Sequence, residues 1–387
     1  MSVNQRFFPN EEYHARLHTI RQRMAERDLD GCLVSAPENI YYLIGLDHHG
    51  YFAYHLLIVP REGRLTLITR AMEQITIANQ VGDRADFVGF ADSDDPAAVT
   101  VRVLRQAGLA SARLGVEKKS AALPPFIIEG IAAGLPQATL ADASGLIDAV
   151  RQVKSPREQA YVRRAAAVSD AMMQAAINAA GVGVSERDIA AEVQRAMVLT
   201  GGEVPGFSPF IRSTPRLGEE HTTWTDRRLE AGDALFIELS GCVRRYHAPM
   251  GRLIYIRRAP PATLAIERVC LEAFHSTVQA IRPGATASQV YRAWQDAVDR
   301  AGLAHYRRHH CGYLVGLGFP PSWVGGSMVT GLRHDSSLVL QTGMTFHLLS
   351  WLMGTGRGDY FVSNPALLTE SGCDVLTTTP QHLTIVS

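Results

Sequence analysis

Apolar residues in the first part of the chain follow two periods in turn. From Glu11 to about Leu29, Tyr13, Leu17, Ile20 and Met24 recur at helical spacing, and Asn10 stands where an N-cap belongs, so the spacing predicts an amphipathic entry helix. Short β-like runs follow, G-C-L-V-S-A, F-A-Y-H-L-L-I-V-P, R-L-T-L-I-T-R and R-L-G-V-E, alternating with helical segments near Pro96 to Leu109 and Pro124 to Ala133. That alternation predicts an α/β domain of about 150 residues.

At V-K-S-P-R-E the pattern changes. Ser155 at N-cap, Pro156 at N1 and Glu158 at N3 form a capping box, with the proline placed where its missing N–H does no harm. A long Ala-rich helix follows, and the domain boundary is expected here, giving domains 1–152 and 153–387. Ser185 and Asp188 open a second helix by the same device. Beyond Gly201 strands and loops dominate, broken by helices from about Pro261 to Ile281 and from Ser288 to Ala301. No internal repeat or low-complexity segment is evident.

Composition narrows the partners. Among 387 residues, 46% are hydrophobic and 20% charged, and the 38 basic side chains cancel the 38 acidic ones. No electrostatic footprint for nucleic acid or anionic membrane results, which leaves small-molecule chemistry or protein contacts. No run of ~18 apolar residues marks a membrane span. The opening M-S-V-N-Q-R-F-F-P-N lacks the apolar core of a signal peptide, so a cytoplasmic protein is expected. Five cysteines lie far apart without C-x-x-C spacing, and most read as buried small hydrophobes, with a catalytic thiol at Cys242 or Cys311 as the alternative.

The stretch Ile237 to Ile254, I-E-L-S-G-C-V-R-R-Y-H-A-P-M-G-R-L-I, reads as two strands joined by a basic turn. Glu238 stands in its apolar first half, and Pro249 and Gly251 interrupt the second. A carboxylate in a core strand and two breakers in its partner both cost stability. The apolar neighbours Phe236, Ile237 and Leu239 leave open which face Glu238 takes.

The blocks K-S-P-R-E-Q-A-Y-V-R-R-A-A-A-V-S-D-A, H-T-T-W-T-D-R-R-L-E-A-G-D-A-L-F-I-E, G-Y-L-V-G, L-Q-T-G-M-T-F and L-L-T-E-S-G-C-D-V-L-T resemble the creatinase/aminopeptidase P/methionine aminopeptidase superfamily in order and spacing. The resemblance covers Val153 to the C-terminus, and the α/β segment before it is similar to that superfamily's N-terminal domain. It implies an α+β chain: an N-terminal α/β domain followed by a pita-bread catalytic domain, a curved antiparallel sheet backed by helices with a pocket on its concave face. It also implies a homodimer.

Metallopeptidases of the superfamily hold two divalent metals through two Asp, one His and two Glu, which polarise a peptide carbonyl and deprotonate a water. By position, those ligands fall here on Glu238, Pro249, Tyr313, Leu349 and about Ser363. Of these, Glu238 alone suits a hard cation, so neither metal nor any other cofactor is expected. His221 matches the residue that non-metal creatinases and proline peptidases place over the substrate as a proton shuttle, a task that an imidazole suits. Tyr313 either fills the core or donates a hydrogen bond to substrate.

A guanidinium or amidinium carries its own positive charge on the carbon to be attacked, so it needs an anion, a nucleophile or activated water, and a proton shuttle. Within the superfamily, G-Y-F-A-Y-H near Tyr51, E-L-S-G-C-V-R-R-Y-H-A-P, G-Y-L-V-G-L-G-F-P-P-S-W and G-M-T-F-H are similar to ectoine hydrolases, which open a cyclic amidine without the metal pair. M-G-R-L after the Y-H-A-P and L-L-S-W after G-M-T-F-H depart from that pattern and bear on the substrate more than on the reaction class.

Carried onto this chain, the resemblance makes Glu238 either the nucleophile or the general base, with His221 as shuttle. His247 or Tyr313 would steady the adduct, with Tyr246 beside them. Phe207, Phe210 and Trp323 are candidate walls, and Tyr51 and His55 candidates to reach the partner's site from the N-terminal domain. The expected substrate is a small cation or zwitterion. The alternatives are a creatinase-like hydrolase or lyase of another small cationic metabolite, and a catalytically silent binding module.

Overall fold

A computed structural model describes residues 7–326 and 329–387; residues 1–6, where the leader reading began, lie outside the described residues. Two compact units divide between Arg151 and Gln152, with Gly326 counted in the first.

The first unit strings strands β1 (Gly31–Val34), β2 (Leu56–Pro60), β3 (Thr66–Arg70), β4 (Asp86–Phe90), β5 (Arg113–Val116) and β6 (Thr139–Asp142) into one sheet of order β4-β3-β2-β1-β5-β6. Helices α1 (Asn10–Ala25), α2 (Pro37–Ile44), α3 (Gln74–Gln80), α4 (Pro96–Gln106), α5 (Pro125–Gly134) and α6 (Leu146–Arg151) complete it. The β1–β2 and β2–β3 pairs are antiparallel, whereas β3–β4, β1–β5 and β5–β6 are parallel.

Asn10 is not the cap of α1. Pro9 takes that position in extended conformation with no side-chain bond, so Asn10 falls in the first turn. The spacing-based reading also passes over α2, whose residues Glu38 to Ile44 are all buried and therefore show no polar face.

The second unit begins with α7 (Pro156–Ala179) and α8 (Glu186–Leu199), and both capping boxes, Ser155 with Glu158 and Ser185 with Asp188, are formed. Then come β7 (Phe210–Ser213), β8 (Ala234–Val243), β9 (Tyr246–Ile256), α9 (Thr263–Ala280) and α10 (Ala287–Arg300). Strands β10 (Gly312–Leu314), β11 (Thr345–Leu352), β12 (Tyr360–Thr369), β13 (Gly372–Val375) and β14 (Thr384–Val386) finish the chain. Their sheet runs β10-β11-β12-β9-β8-β7, with β13 on β12 and β14 on β9.

The two faces of this sheet separate by alternation. Leu235, Ile237 and Leu239 of β8 pack with α7 and α8, while Phe346, Leu348 and Leu352 of β11 pack with α9 and α10. The intervening residues, Phe236 on β8, Trp351 on β11 and Phe361 on β12, form an aromatic cluster on the other face with Phe210 and Trp323. Glu238 belongs by register to that face, which settles the question left open by its apolar neighbours. The basic turn is Arg244–Arg245, both at positive φ (51° and 64°), between β8 and β9. Such a turn matches the twist of a tight hairpin.

Candidate active site

Strand pairing sets the centre of the site. Glu238 lies opposite Phe210 on one side and Gly251 on the other, and Gly251 in turn lies opposite Ser363. A Cβ on Gly251 would fall 2.4 Å from the Phe361 ring and 3.0 Å from Ser363 Oγ. The glycine therefore makes room for Phe361, not for a substrate. Pro249 lies two residues further, beyond Gly251 and Arg252, the positions that pair with β12. His247 N donates away from β8 to Gly316 O, and Pro249 aims the same way, so its missing N–H removes nothing from the β8–β9 ladder.

The Glu238 carboxylate is 9% exposed and receives no hydrogen bond from the described residues. Burial pushes its pKa up to about 8; Arg212 draws it down, Glu220 raises it and Arg308 lowers it again.

Beside it runs a chain of side-chain hydrogen bonds. Trp323 Nε1 donates to Tyr313 Oη at 3.0 Å, Tyr313 Oη meets His347 Nδ1 at 2.7 Å, and His347 Nε2 meets Ser363 Oγ at 2.8 Å. His347 Nε2 also lies 3.8 Å from Glu238 Oε1. An indole N–H only donates, so Tyr313 accepts from Trp323 and sends its own proton toward Nδ1. That network assigns the proton of the neutral ring to Nε2, facing Ser363 and Glu238. Burial first, then the charge of His310, holds the His347 pKa down to about 3, so the ring is neutral across the physiological range. Burial also raises the Tyr313 phenol well above its usual value, with the Glu238 charge adding to it.

Aromatic rings line the other side. Phe207 meets Trp323 edge-on with centroids 4.7 Å apart and lies 5.3 Å from Phe210. Phe210 lies 5.6 Å from Trp323 and 5.7 Å from the His221 ring. His221 is exposed, on a turn at φ 54°, a left-handed conformation that few residues other than glycine adopt. The structure thus brings Phe207, Phe210, Trp323, Tyr313 and Glu238 together and sets His221 against the rim at Phe210.

Three sequence expectations are corrected. His247 is fully buried; its Nε2 accepts from Gly206 N at 2.8 Å and its Nδ1 faces Gly316 O at 3.2 Å, so neither nitrogen is left for a substrate. Burial holds its pKa down to about 4. It pins the loop that carries Phe207. Tyr246 faces the helices: its hydroxyl donates to Glu158 at 2.7 Å and its ring stacks on Tyr161. In the first unit, His55 is 1% exposed with Nε2 on Ser35 O at 2.7 Å, and burial brings its pKa down to about 4, so it is a structural side chain. Tyr51 is half-buried on a 3₁₀ turn, its ring 6.5 Å from that of His55.

His347 and Arg212 are the site residues that sequence reading passed over. Both follow from period two: His347 is two residues from Leu349, and Arg212 two from Phe210.

The donor set does not fit a metal pair. Around Glu238 stand Gly251, Ser363, Leu349, Tyr313 and a His347 whose two nitrogens are already hydrogen-bonded. Among the described residues no three His, Cys, Asp or Glu side chains gather as ligands.

A curved antiparallel sheet with two helix pairs on one face and an acid–imidazole centre on the other defines a pita-bread hydrolase. The chain belongs to metallopeptidase family M24, whose model matches residues 160–370, and a creatinase/prolidase N-terminal domain matches residues 16–153. An uncharacterized hydrolase/peptidase of Sinorhizobium fredii is 31% identical over 98% of both chains. The ectoine hydrolase of Halomonas elongata is 27% identical over 97% of this chain and 98% of its own. Among solved structures, dipeptidase PepE from Mycobacterium ulcerans superposes with a TM-score of 0.83 at 24% identity, covering 98% of this chain and 99% of the other. No described helix is long and apolar enough to cross a membrane.

Proposed function

We propose that this chain is a metal-independent hydrolase of a non-peptide C–N bond in a cyclic amidine, with ectoine opening to an acetylated diaminobutyrate as the reaction that fits best. The observation that carries the proposal is Glu238: one carboxylate, without a hydrogen bond among the described residues, buried among aromatic rings beside a neutral imidazole. An amidinium satisfies it by charge, and the rings of Phe207, Phe210 and Trp323 suit a delocalised cation. The likeness to ectoine hydrolase over the full length supports the same substrate class.

In the covalent version, a Glu238 oxygen bonds to the amidinium carbon, and the C=N electron pair moves onto nitrogen. Collapse breaks the C–N bond as His221 protonates the departing amine, leaving an acyl-imidate on Glu238. His221 then takes a proton from water, whose oxygen attacks the same carbon and releases the carboxylate, giving an amide and an ammonium. In the other version Glu238 deprotonates the water directly. Trp323 and Tyr313 hold His347 with Nε2–H toward the carboxylate, where it stabilises the anion without competing for the proton. The proposal includes a homodimer in which Tyr51 of one protomer reaches its partner's site.

Chelator-treated protein incubated with ectoine and followed by NMR tests this. Ring opening that disappears in Glu238→Gln is the expected result. No opening of any member of an amidine and guanidine panel overturns the proposal.

A further inference from the structure

Arg212 sits on β7 opposite Phe236, two cross-strand pairs along from Phe210 and Glu238 and so on the same sheet face. It is 1% exposed, and its guanidinium lies over the Phe236 ring at 4.2 Å from the centroid. Its Nε is sealed from solvent without a hydrogen-bond partner. No ion pair within 4.0 Å and no hydrogen bond from the guanidinium forms among the described residues. Burial lowers its pKa, and Glu220, Glu238 and Glu219 oppose that through charge without bonding it.

A buried guanidinium is costly unless a carboxylate or carbonyl meets it, and its planar fork matches a carboxylate in two parallel bonds. A structural counter-ion for Glu238 would close to an ion pair; this one stands off. Two positions along a strand separate the cross-strand pairs by roughly 7 Å, so one compact molecule spans both groups. The aromatic rings beside Glu238 suit a cation, and no anion meets Arg212 among the described residues.

We propose that Arg212 is the carboxylate anchor of this site, so that the substrate is a zwitterion whose cationic end meets Glu238 and whose carboxylate meets Arg212. This rests on the amidine reading for the identity of the cationic end only. Arg212 is a positioning residue: it orients the amidinium carbon over Glu238 and takes no part in bond breaking.

Matched probes test it by calorimetry. Ectoine carries the carboxylate, and 2-methyl-1,4,5,6-tetrahydropyrimidine is the same ring without it. Wild type is expected to bind ectoine on the order of 10- to 100-fold more tightly, as a charge-assisted pair provides. Arg212→Met, which keeps the aliphatic stem over Phe236, should bind the two equally; Arg212→Lys should fall between. A preference for ectoine that survives in Arg212→Met overturns the anchor.

A counter-ion role would shift the pH profile of both probes alike and leave the ratio of their dissociation constants untouched. If neither ring binds wild type, the amidine reading fails and the anchor is judged on 4-aminobutyrate against 4-aminobutyramide. Thermal protection by the acid alone, lost in Arg212→Met, sustains the anchor; no protection of wild type overturns it.

Discussion

The His347 imidazole stands 3.8 Å from the Glu238 carboxylate, and the two are held apart in protonation as well as space. Burial keeps His347 neutral with a pKa of about 3 and pushes Glu238 up to about 8. One cause acts on both: burial disfavours the charged form, so the imidazole stays neutral and the carboxyl holds its proton toward neutral pH. Ser363 Oγ and Tyr313 Oη fix the ring that faces the acid.

That arrangement makes Tyr313→Phe informative. Removing the phenol oxygen leaves Trp323 Nε1–H and His347 Nδ1 without partners in a dry place. Unsatisfied buried groups cost ~1–3 kcal/mol, so the variant should unfold at a lower urea concentration. It also frees the His347 tautomer, and turnover of the amidine should fall on the order of 10-fold with KM nearly constant. Unchanged stability together with unchanged turnover would remove the hydrogen-bond chain from the account.

Much of this fold is legible in the sequence, because Ser155–Glu158 and Ser185–Asp188 signal helix starts locally and the β8–β9 hairpin signals its turn. The site is less legible, since sheet face depends on neighbours far along the chain. Glu238 stands between apolar residues, and only the packing of Ile237 and Leu239 against α7 and α8 shows that it points the other way. The resemblance points to His247, yet Gly206 N and Gly316 O, which engage both its nitrogens, come from loops that carry no sequence mark of that contact. For His347 the block G-M-T-F-H carries a family pattern, and only the pairing of β11 with β12 brings its last residue beside Glu238.

His221 and His247 should separate cleanly by substitution. His221 is exposed at the rim, so His221→Gln should leave the thermal midpoint unchanged while turnover falls on the order of 100-fold, the usual contribution of a positioned acid–base group. His247 bonds two backbone groups in the interior, and His247→Leu should lower stability by ~1–3 kcal/mol for the stranded Gly206 N–H and Gly316 C=O. Turnover per folded molecule would change less. Calorimetry alongside an NMR rate assay reads both, and the reverse pattern would exchange the roles assigned to the two histidines.

Gly251→Ala tests the packing that surrounds the acid. The added methyl falls 2.4 Å from Phe361, and displacing a buried ring typically costs ~1–3 kcal/mol. Because Gly251 lies directly opposite Glu238, the same change should raise KM for a cationic substrate, measured by initial rates. A variant as stable as wild type would mean that the Phe361 ring yields freely.

Glu238 should leave two pH signatures of different kinds. Its pKa of about 8 in the folded chain lies above the 4.5 of an ordinary glutamate. Between those values the folded chain keeps a proton that the unfolded chain has released. The site's favourable contribution to stability is therefore full at acidic pH and is lost as pH rises toward about 8. Glu238→Gln removes the titration, so its stability relative to wild type should grow from pH 5 to pH 9, at up to ~1.4 kcal/mol for each pH unit of the interval. Catalysis runs the other way. Nucleophile and base both require the carboxylate, so kcat/KM should rise with pH through a midpoint near 8. A bound amidinium stabilises the anion, and the midpoint in kcat should lie lower. Thermal scans of the two proteins at a series of pH values, with rates measured in the same buffers, read both trends. A constant difference in stability from pH 5 to pH 9 would show that Glu238 titrates as an ordinary surface carboxylate and would end its role as a buried, substrate-ionised acid.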